Sequence, residues 1–158
     1  MNLALREALA AAVPDLQRHC RDRWTVIGSA AAALAGADVS VADLDVLCSV
    51  DDAVSLISLW HERLDAAYRP AAGADRFRSR FARFRFPGVP LEVMGGLELH
   101  GPQGWQALQV RETVLADCDG IMVPIPAPAE QLRILERFAR PKDRQRAALL
   151  AAMLPSER

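Results

Sequence analysis

The sequence predicts a single domain of the α/β (α+β) class that ends in a helical segment. The chain has 158 residues, which is the length of one ordinary domain. Patterns typical of helices and of strands alternate along most of it, and helical patterns alone fill its last part. Its composition, 51% hydrophobic and 25% charged, excludes disordered, collagen-like and disulfide-scaffold proteins.

The first half of the chain predicts three helices and two strands. Apolar residues at helical spacing and a run of alanines predict helices over residues 2–19, 30–34 and 53–67. Short β-prone runs predict strands over residues 24–27 and 43–47. Ser49 precedes the third helix and is suited to cap it.

The second half predicts a hairpin, two small strands and two helices. The alternating segment RFRSRFARFRF predicts a strand over residues 76–86, which pairs with residues 91–94 across a turn at Pro87–Pro90. We expect loops at 70–74 and 95–104, short strands within 108–126, and helices that start near Pro128 and Pro141. The predicted domain spans residues 1–158, with a core at about 24–126 and C-terminal helices at about 128–154.

Several sequence features predict a cytoplasmic protein that has no membrane partner. No apolar run reaches the roughly 18 residues that a membrane span requires. The N-terminal segment MNLALREALAAAVPDL lacks the basic leader and long apolar block of a secretory signal. The three cysteines, Cys20, Cys48 and Cys118, are far apart, so we expect a reducing compartment and no structural zinc.

Three carboxylates are the strongest candidates for chemistry. Asp43 and Asp45 lie two residues apart on a predicted strand and therefore on one face of it. Two such carboxylates repel unless a cation lies between them, and Mg²⁺ suits oxygen ligands of this kind. Glu92, between two apolar residues of the returning strand, adds a third carboxylate if its strand neighbours theirs. The alternative is a capping Asp43, a solvated Asp45 and an exposed Glu92.

Gly28 and Ser29 form a candidate phosphate site. They lie where a strand meets a helix, and the free backbone N–H groups of a helix start bind phosphate. The alternative is an ordinary capping serine. The dinucleotide motif G-x-G-x-x-G and the P-loop motif do not occur, which disfavours Rossmann-type binding and P-loop hydrolysis.

Arginines interleaved with phenylalanines make the strand at 76–86 a second candidate for phosphate binding. Arg76, Arg78 and Arg80 share one parity and Arg83 and Arg85 the other, which predicts a bulge near Phe81–Ala82. Such a strand suits contacts to triphosphate or to a nucleic-acid backbone, with Arg83 and Arg85 favoured because they lie nearest Glu92. The alternative is a strand with buried phenylalanines and solvated arginines that protect an edge.

Taken together, these residues resemble the nucleotidyltransferase superfamily, whose fold is shared by DNA polymerase beta and kanamycin nucleotidyltransferase. The resemblance rests on Ile27-Gly28-Ser29, on Asp43-Leu44-Asp45-Val46 after thirteen intervening residues, and on Leu91-Glu92-Val93. The tail, with Arg140-Pro141-Lys142-Asp143, is similar to small stand-alone bacterial members, several of which act in toxin–antitoxin pairs. The resemblance covers about residues 24–150 and implies a mixed sheet flanked by helices.

The resemblance implies a role for each matching residue. Gly28 and Ser29 would bind the nucleoside triphosphate, and Lys142 would approach its phosphates. Asp43 and Asp45 would ligate two Mg²⁺ ions, while Glu92 would bind one ion and help deprotonate the acceptor hydroxyl.

The implied reaction is Mg²⁺-dependent transfer of a nucleoside monophosphate from an NTP to a hydroxyl, with release of pyrophosphate. The acceptor is a small molecule, a protein side chain or an RNA end. One alternative is a catalytically silent member that binds nucleotide or a protein partner. A weaker alternative is a nucleic-acid-binding module centred on the arginine strand.

Overall fold

The computed structural model describes residues 2–69 and 74–154 of the chain. The loop expected at 70–74 lies, apart from Ala74, outside the described residues. The regular elements, in chain order, are α1 Leu3–His19, β1 Thr25–Ile27, α2 Gly28–Leu34, β2 Leu44–Cys48, α3 Val50–Leu59, β3 Phe77–Phe84, β4 Leu91–Gly101, β5 Gly104–Ala107, β6 Thr113–Cys118, β7 Ile121–Pro126, α4 Pro128–Phe138 and α5 Pro141–Met153.

A mixed sheet in the strand order β1-β2-β4-β3 forms the centre of this α/β fold, and β5 extends it along the distal half of β4. Strands β2 and β4 are parallel, whereas β1, β3 and β5 are antiparallel to their neighbours. Strands β6 and β7 form a separate hairpin. The central position of β4 places Glu92 between β2 and β3, inside the sheet.

Helices cover both faces of the sheet. On one face, α1 and α3 pack through Leu9, Leu16 and Leu56 against Val46 and Val93, all fully buried. The other face packs against α4. Helix α5 contributes the fully buried Leu150, which packs with residues of α2 and α4. Among the described helices, none combines the length and apolar character that a membrane crossing requires.

Helix α4 contacts the sheet through two small groups of apolar residues. They are Ile134 and Phe138 on the helix, and Ile27, Leu97 and Leu99 on the sheet. Leu97 and Leu99 share this face with Glu92 because β4 has an extra residue at Gly96–Leu97, where the register with β3 shifts. Gly96 adopts φ +62°, a conformation that favours glycine in such bulges.

Three sequence-based expectations were wrong. The third helix ends at Leu59 rather than near residue 67, because the following chain pairs with β3, with Asp65 N donating to Arg83 O at 2.8 Å. The loop expected at 95–104 is mostly strand, since β4 continues to Gly101 and turns directly into β5. The bulge expected near Phe81–Ala82 is absent from the described β3; the register shift lies between Arg78 and Arg80.

Candidate active site

The sheet register brings the predicted carboxylates together. Asp45 on β2 lies directly opposite Glu92 on the parallel strand β4. Asp43 precedes the first residue of β2, so it lies just outside the strand in which it was expected. One ligand oxygen from each of Asp43, Asp45 and Glu92 lies within 4.8 Å of the others. We call these three residues the acidic triad.

The acidic triad leaves Asp45 electrostatically unsatisfied. Its Oδ1 atom is buried and accepts no hydrogen bond from any described residue. Burial raises the pKa of the Asp45 carboxyl well above its usual 3.8, and the negative charges of Asp43 and Glu92 raise it further. The fold therefore holds the Asp45 side chain in a place where its ionised form is unfavourable unless a cation lies beside it.

The donor set and the space around it fit a divalent metal ion. Three carboxylates supply the hard oxygen ligands that Mg²⁺ prefers. Gly28 closes one side of the triad, because a Cβ atom built on it would lie only 2.7 Å from Asp45 Oδ2. Its φ of +70° is also one that other residues rarely adopt. A side chain at position 28 would therefore displace Asp45.

Arg83 on β3 reaches into the acidic triad from the opposite side. It lies directly across from Glu92, and its Nη1 donates a 2.6 Å hydrogen bond to Glu92 Oε1. The same nitrogen is 3.6 Å from Asp43 Oδ2, and the Nε atom is 3.9 Å from Asp65 Oδ2. The guanidinium carbon lies 4.5 Å from the centre of the Tyr68 ring. Partial burial lowers the pKa of Arg83, but the hydrogen bond to Glu92 and the negative charges of Glu92 and Asp43 together outweigh it, so the pKa is raised.

The other predicted residues lie at varying distances from the acidic triad. Ser29 is buried in the first turn of α2, next to Gly28. Arg85 is exposed and pairs with Asp65 at 3.6 Å rather than with the triad. Lys142 is exposed in the first turn of α5. The predicted set therefore divides into an inner group around the triad and an outer group on the surface.

Arg146 was missed by the sequence interpretation. It lies one turn after Lys142, and its positive charge lowers the pKa of Asp45 against the larger opposing effects. Asp143 holds it at 3.7 Å and also binds Arg140, whose Nε is 2.5 Å from Asp143 Oδ2. Asp143 is fully buried. The repeat of Arg140, Asp143 and Arg146 at three-residue spacing was a usable signal, because such residues share one helix face.

Asp65 and Tyr68 were also missed. They follow α3 in a segment with no motif, and only the pairing of that segment with β3 brings them near Arg83. No local pattern in the sequence predicts such a contact.

Comparison with solved structures identifies the fold. TM1012 of Thermotoga maritima, a candidate nucleotidyltransferase, aligns with a TM-score of 0.69 at 17% identity over 92% of each chain. The lincosamide antibiotic adenylyltransferase LnuA, in its lincomycin-bound structure, aligns with a TM-score of 0.59 at 12% identity, over 94% of this chain and 98% of its own.

A third solved structure agrees with these two. The antibiotic-resistance factor ANT(2'')-Ia aligns with a TM-score of 0.57 at 11% identity, over 98% of this chain and 86% of its own. The chain matches no protein-family model, and no curated protein matches its sequence. The likeness is one of fold, and it spans nearly the whole chain.

Proposed function

Because the chain has the nucleotidyltransferase fold, we propose that it is a metal-dependent nucleotidyltransferase. It would transfer a nucleoside monophosphate from an NTP to a hydroxyl and release pyrophosphate. The observation that carries this proposal is the acidic triad, with its buried and unsatisfied Asp45 Oδ1. An acid cluster that is unfavourable by itself is typical of a binding site rather than of a structural element.

In the proposed reaction, Asp43, Asp45 and Glu92 would hold two Mg²⁺ ions, and these would supply the positive charge that stabilises the attacking and leaving oxygens. Glu92 takes the proton of the acceptor hydroxyl. The hydroxyl oxygen then bonds to the α-phosphorus, and the bond from that phosphorus to the bridging oxygen of pyrophosphate breaks.

The remaining residues bind and orient the nucleotide in this proposal. Gly28 lets the triphosphate approach Asp45 closely, and Ser29 supplies backbone and hydroxyl donors beside it. Arg146 adds a positive charge that lowers the pKa of Asp45, and it is supported by the buried Asp143. Lys142 and Arg85, exposed in the structure, would contact the outer phosphates.

The acceptor is proposed as a hydroxyl-bearing small molecule, with a protein side chain or an RNA end as the alternatives. LnuA is a lincosamide antibiotic adenylyltransferase, and its fold aligns with nearly all of this chain. We place the reaction in the cytoplasm, where nucleoside triphosphates are supplied.

A catalytically silent protein that binds nucleotide or a protein partner is the second candidate. The salt bridge between Arg83 and Glu92 favours it, since this bridge already supplies a positive charge to the triad.

Thermal melting with ATP, GTP, CTP and UTP, each with and without Mg²⁺, separates the two candidates. Nucleotide at a hundred times its Kd adds about 2.7 kcal/mol of stability, which is a rise of several degrees. We expect an Mg²⁺-dependent rise that the Asp43→Ala/Asp45→Ala variant loses and the control Glu98→Gln keeps. A rise without any need for Mg²⁺ would favour the silent protein. No rise with any nucleotide would overturn the proposed reaction.

A further inference from the structure

We propose that the guanidinium of Arg83 and a divalent metal ion compete for the acidic triad, so that metal binds only when Arg83 moves away from Glu92. This inference rests on the proposed function, because it concerns the same triad. It assigns to Arg83 the control of metal affinity instead of a contact with the nucleotide.

The first argument is the position of the Arg83 guanidinium. Its Nη1 atom lies between two of the three carboxylates, 2.6 Å from Glu92 Oε1 and 3.6 Å from Asp43 Oδ2. A divalent ion bound by the same carboxylates would lie a few ångströms from this positive charge. Like charges at that separation repel strongly, and more so where burial weakens solvent screening. Glu92 retains only 9% of its side-chain exposure and Arg83 only 20%.

The second argument is that Arg83 has an alternative partner nearby. Asp65 Oδ2 lies 3.9 Å from Arg83 Nε, so a small side-chain rotation exchanges Glu92 for Asp65. Asp65 is fixed for this role, because its backbone N–H donates to the Arg83 carbonyl at 2.8 Å. The Tyr68 ring lies against the guanidinium and can stay in contact during the rotation. Arg83 can therefore leave the triad without losing all of its interactions.

The consequence is a site that binds metal more weakly than three carboxylates alone would. Removing Arg83 strengthens metal binding, whereas removing Asp65 weakens it, because Arg83 then loses the carboxylate outside the triad that it can pair with. If Arg83 had only a structural role, or contacted the nucleotide, its removal would not increase the affinity for metal. The removal of Arg83 and the removal of Asp65 would also not change that affinity in opposite directions.

Calorimetric titration with Mg²⁺ or Mn²⁺ alone, without nucleotide, tests the inference. A hydrogen bond to a charged group contributes about 1.5–3 kcal/mol, so Arg83→Gln is expected to bind the ion about tenfold more tightly or better. The matched control is Arg78→Gln, which breaks the other Arg–Glu pair between β3 and β4 and leaves the affinity unchanged. Unchanged or weaker binding by a folded Arg83→Gln variant overturns the inference.

A second variant keeps the test decisive if Arg83→Gln fails to fold. Asp65→Asn retains the backbone hydrogen bond to Arg83 and is expected to weaken metal binding several-fold. Unchanged or tighter metal binding by Asp65→Asn alone overturns the inference. Where Arg83→Gln does fold, the Asp65→Asn change is expected to do little in that background, because the guanidinium is gone. An equal loss in both backgrounds would mean that Asp65 acts directly on the metal, and would also overturn the inference.

The failure of the inference differs from the failure of the proposed function. If Asp45→Asn abolishes metal binding but Arg83→Gln does not strengthen it, the proposed site stands and only the competition is excluded. No metal binding by any variant, even with nucleotide present, removes both.

Discussion

Two arginine–glutamate pairs join the same two strands. They consist of the same residue types, but they differ in distance and in exposure to solvent. The inner pair is Arg83–Glu92 and the outer pair is Arg78–Glu98, each between directly opposed residues of β3 and β4. The closest nitrogen–oxygen distance is 2.6 Å in the inner pair and 3.0 Å in the outer pair. The side chains are 20% and 9% exposed in the inner pair, but 52% and 33% exposed in the outer pair.

The difference lies in the balance of charge around each pair. The outer pair is one arginine with one glutamate in solvent, and the guanidinium also lies 4.3 Å from the centre of the Trp105 ring. Such a pair contributes about 0–1 kcal/mol to stability. The inner pair has Asp43 and Asp45 beside its glutamate, so negative charge exceeds positive charge in a poorly solvated place. The same residue pair is therefore a surface contact in one place and part of a cluster of carboxylates in the other.

The largest expected difference concerns nucleotide binding. Glu92→Gln removes a proposed metal ligand, whereas Glu98→Gln changes only the outer pair. Loss of groups that merely support metal ligands lowers metal affinity by about 10–100-fold, and loss of a ligand itself is expected to do at least as much. Titration with Mg²⁺ and the nucleotide identified by melting should therefore show about a hundredfold loss for Glu92→Gln and none for Glu98→Gln. Equal behaviour of the two variants would remove the distinction between the pairs.

The second difference concerns stability in the presence of a chelator. Arg83→Gln leaves Glu92 buried beside two other carboxylates, which is expected to cost about 2–3 kcal/mol. For a domain of this size, that is a fall in Tm of about 4–12 °C. Arg78→Gln is expected to lower Tm by no more than a few degrees, since the outer pair is solvated. Thermal melting of both variants measures the contrast, and a larger fall for Arg78→Gln would reverse it.

The smallest expected difference concerns pH. The folded-state pKa of Asp45 is raised above its usual 3.8, so the folded protein binds a proton more tightly than the unfolded chain does. The contribution of Asp45 to stability without metal is therefore fully present at low pH, and it is lost as the pH rises through 3.8 towards the raised value. Asp45→Asn removes this loss and is expected to raise Tm by a few degrees at neutral pH, in chelator.

Melting curves between about pH 5 and pH 8 compare wild type with Asp45→Asn. The expected gain from the substitution grows with pH until Asp45 is fully ionised, and added Mg²⁺ is expected to reduce it. Asp117→Asn, at an exposed position of β6, is the matched control. A neutral or destabilising effect of Asp45→Asn at high pH would mean that its carboxylate is not unfavourable in the folded protein.

The sequence predicted the α/β fold and the composition of the acidic triad because both depend on short patterns. The two-residue spacing of Asp43 and Asp45 predicts that they lie close together, which holds although Asp43 lies just before β2, and an acid between apolar residues marks Glu92. The resemblance to the nucleotidyltransferase fold is confirmed at the level of the fold. The roles of Gly28, Ser29 and the carboxylates in catalysis stay predictions.

The sequence did not predict the contacts that depend on register and rotation. The pairing of Arg83 with Glu92 requires the exact alignment of β3 on β4, which residue alternation does not specify. The extra residue at Gly96–Leu97 then shifts this alignment for Arg78 and Glu98. The approach of Arg146 depends on how α5 packs against α2, which no local pattern specifies. The hydrophobic stripe that continues beyond Leu59 suggested a longer helix, but pairing of the next segment with β3 was more favourable.

The bulge at Gly96–Leu97 also divides β4 into two parts that can vary separately. Before the bulge, the side chains of β4 alternate in the register that aligns Glu92 with Asp45. After the bulge, the alternation is offset by one residue, so Leu97 and Leu99 lie on the same face as Glu92. Insertions or deletions in the β4–β5 turn therefore leave the alignment of the carboxylates unchanged. A library that diversifies the turn at residues 101–104 can reshape this end of the molecule while preserving the chemistry at the other end.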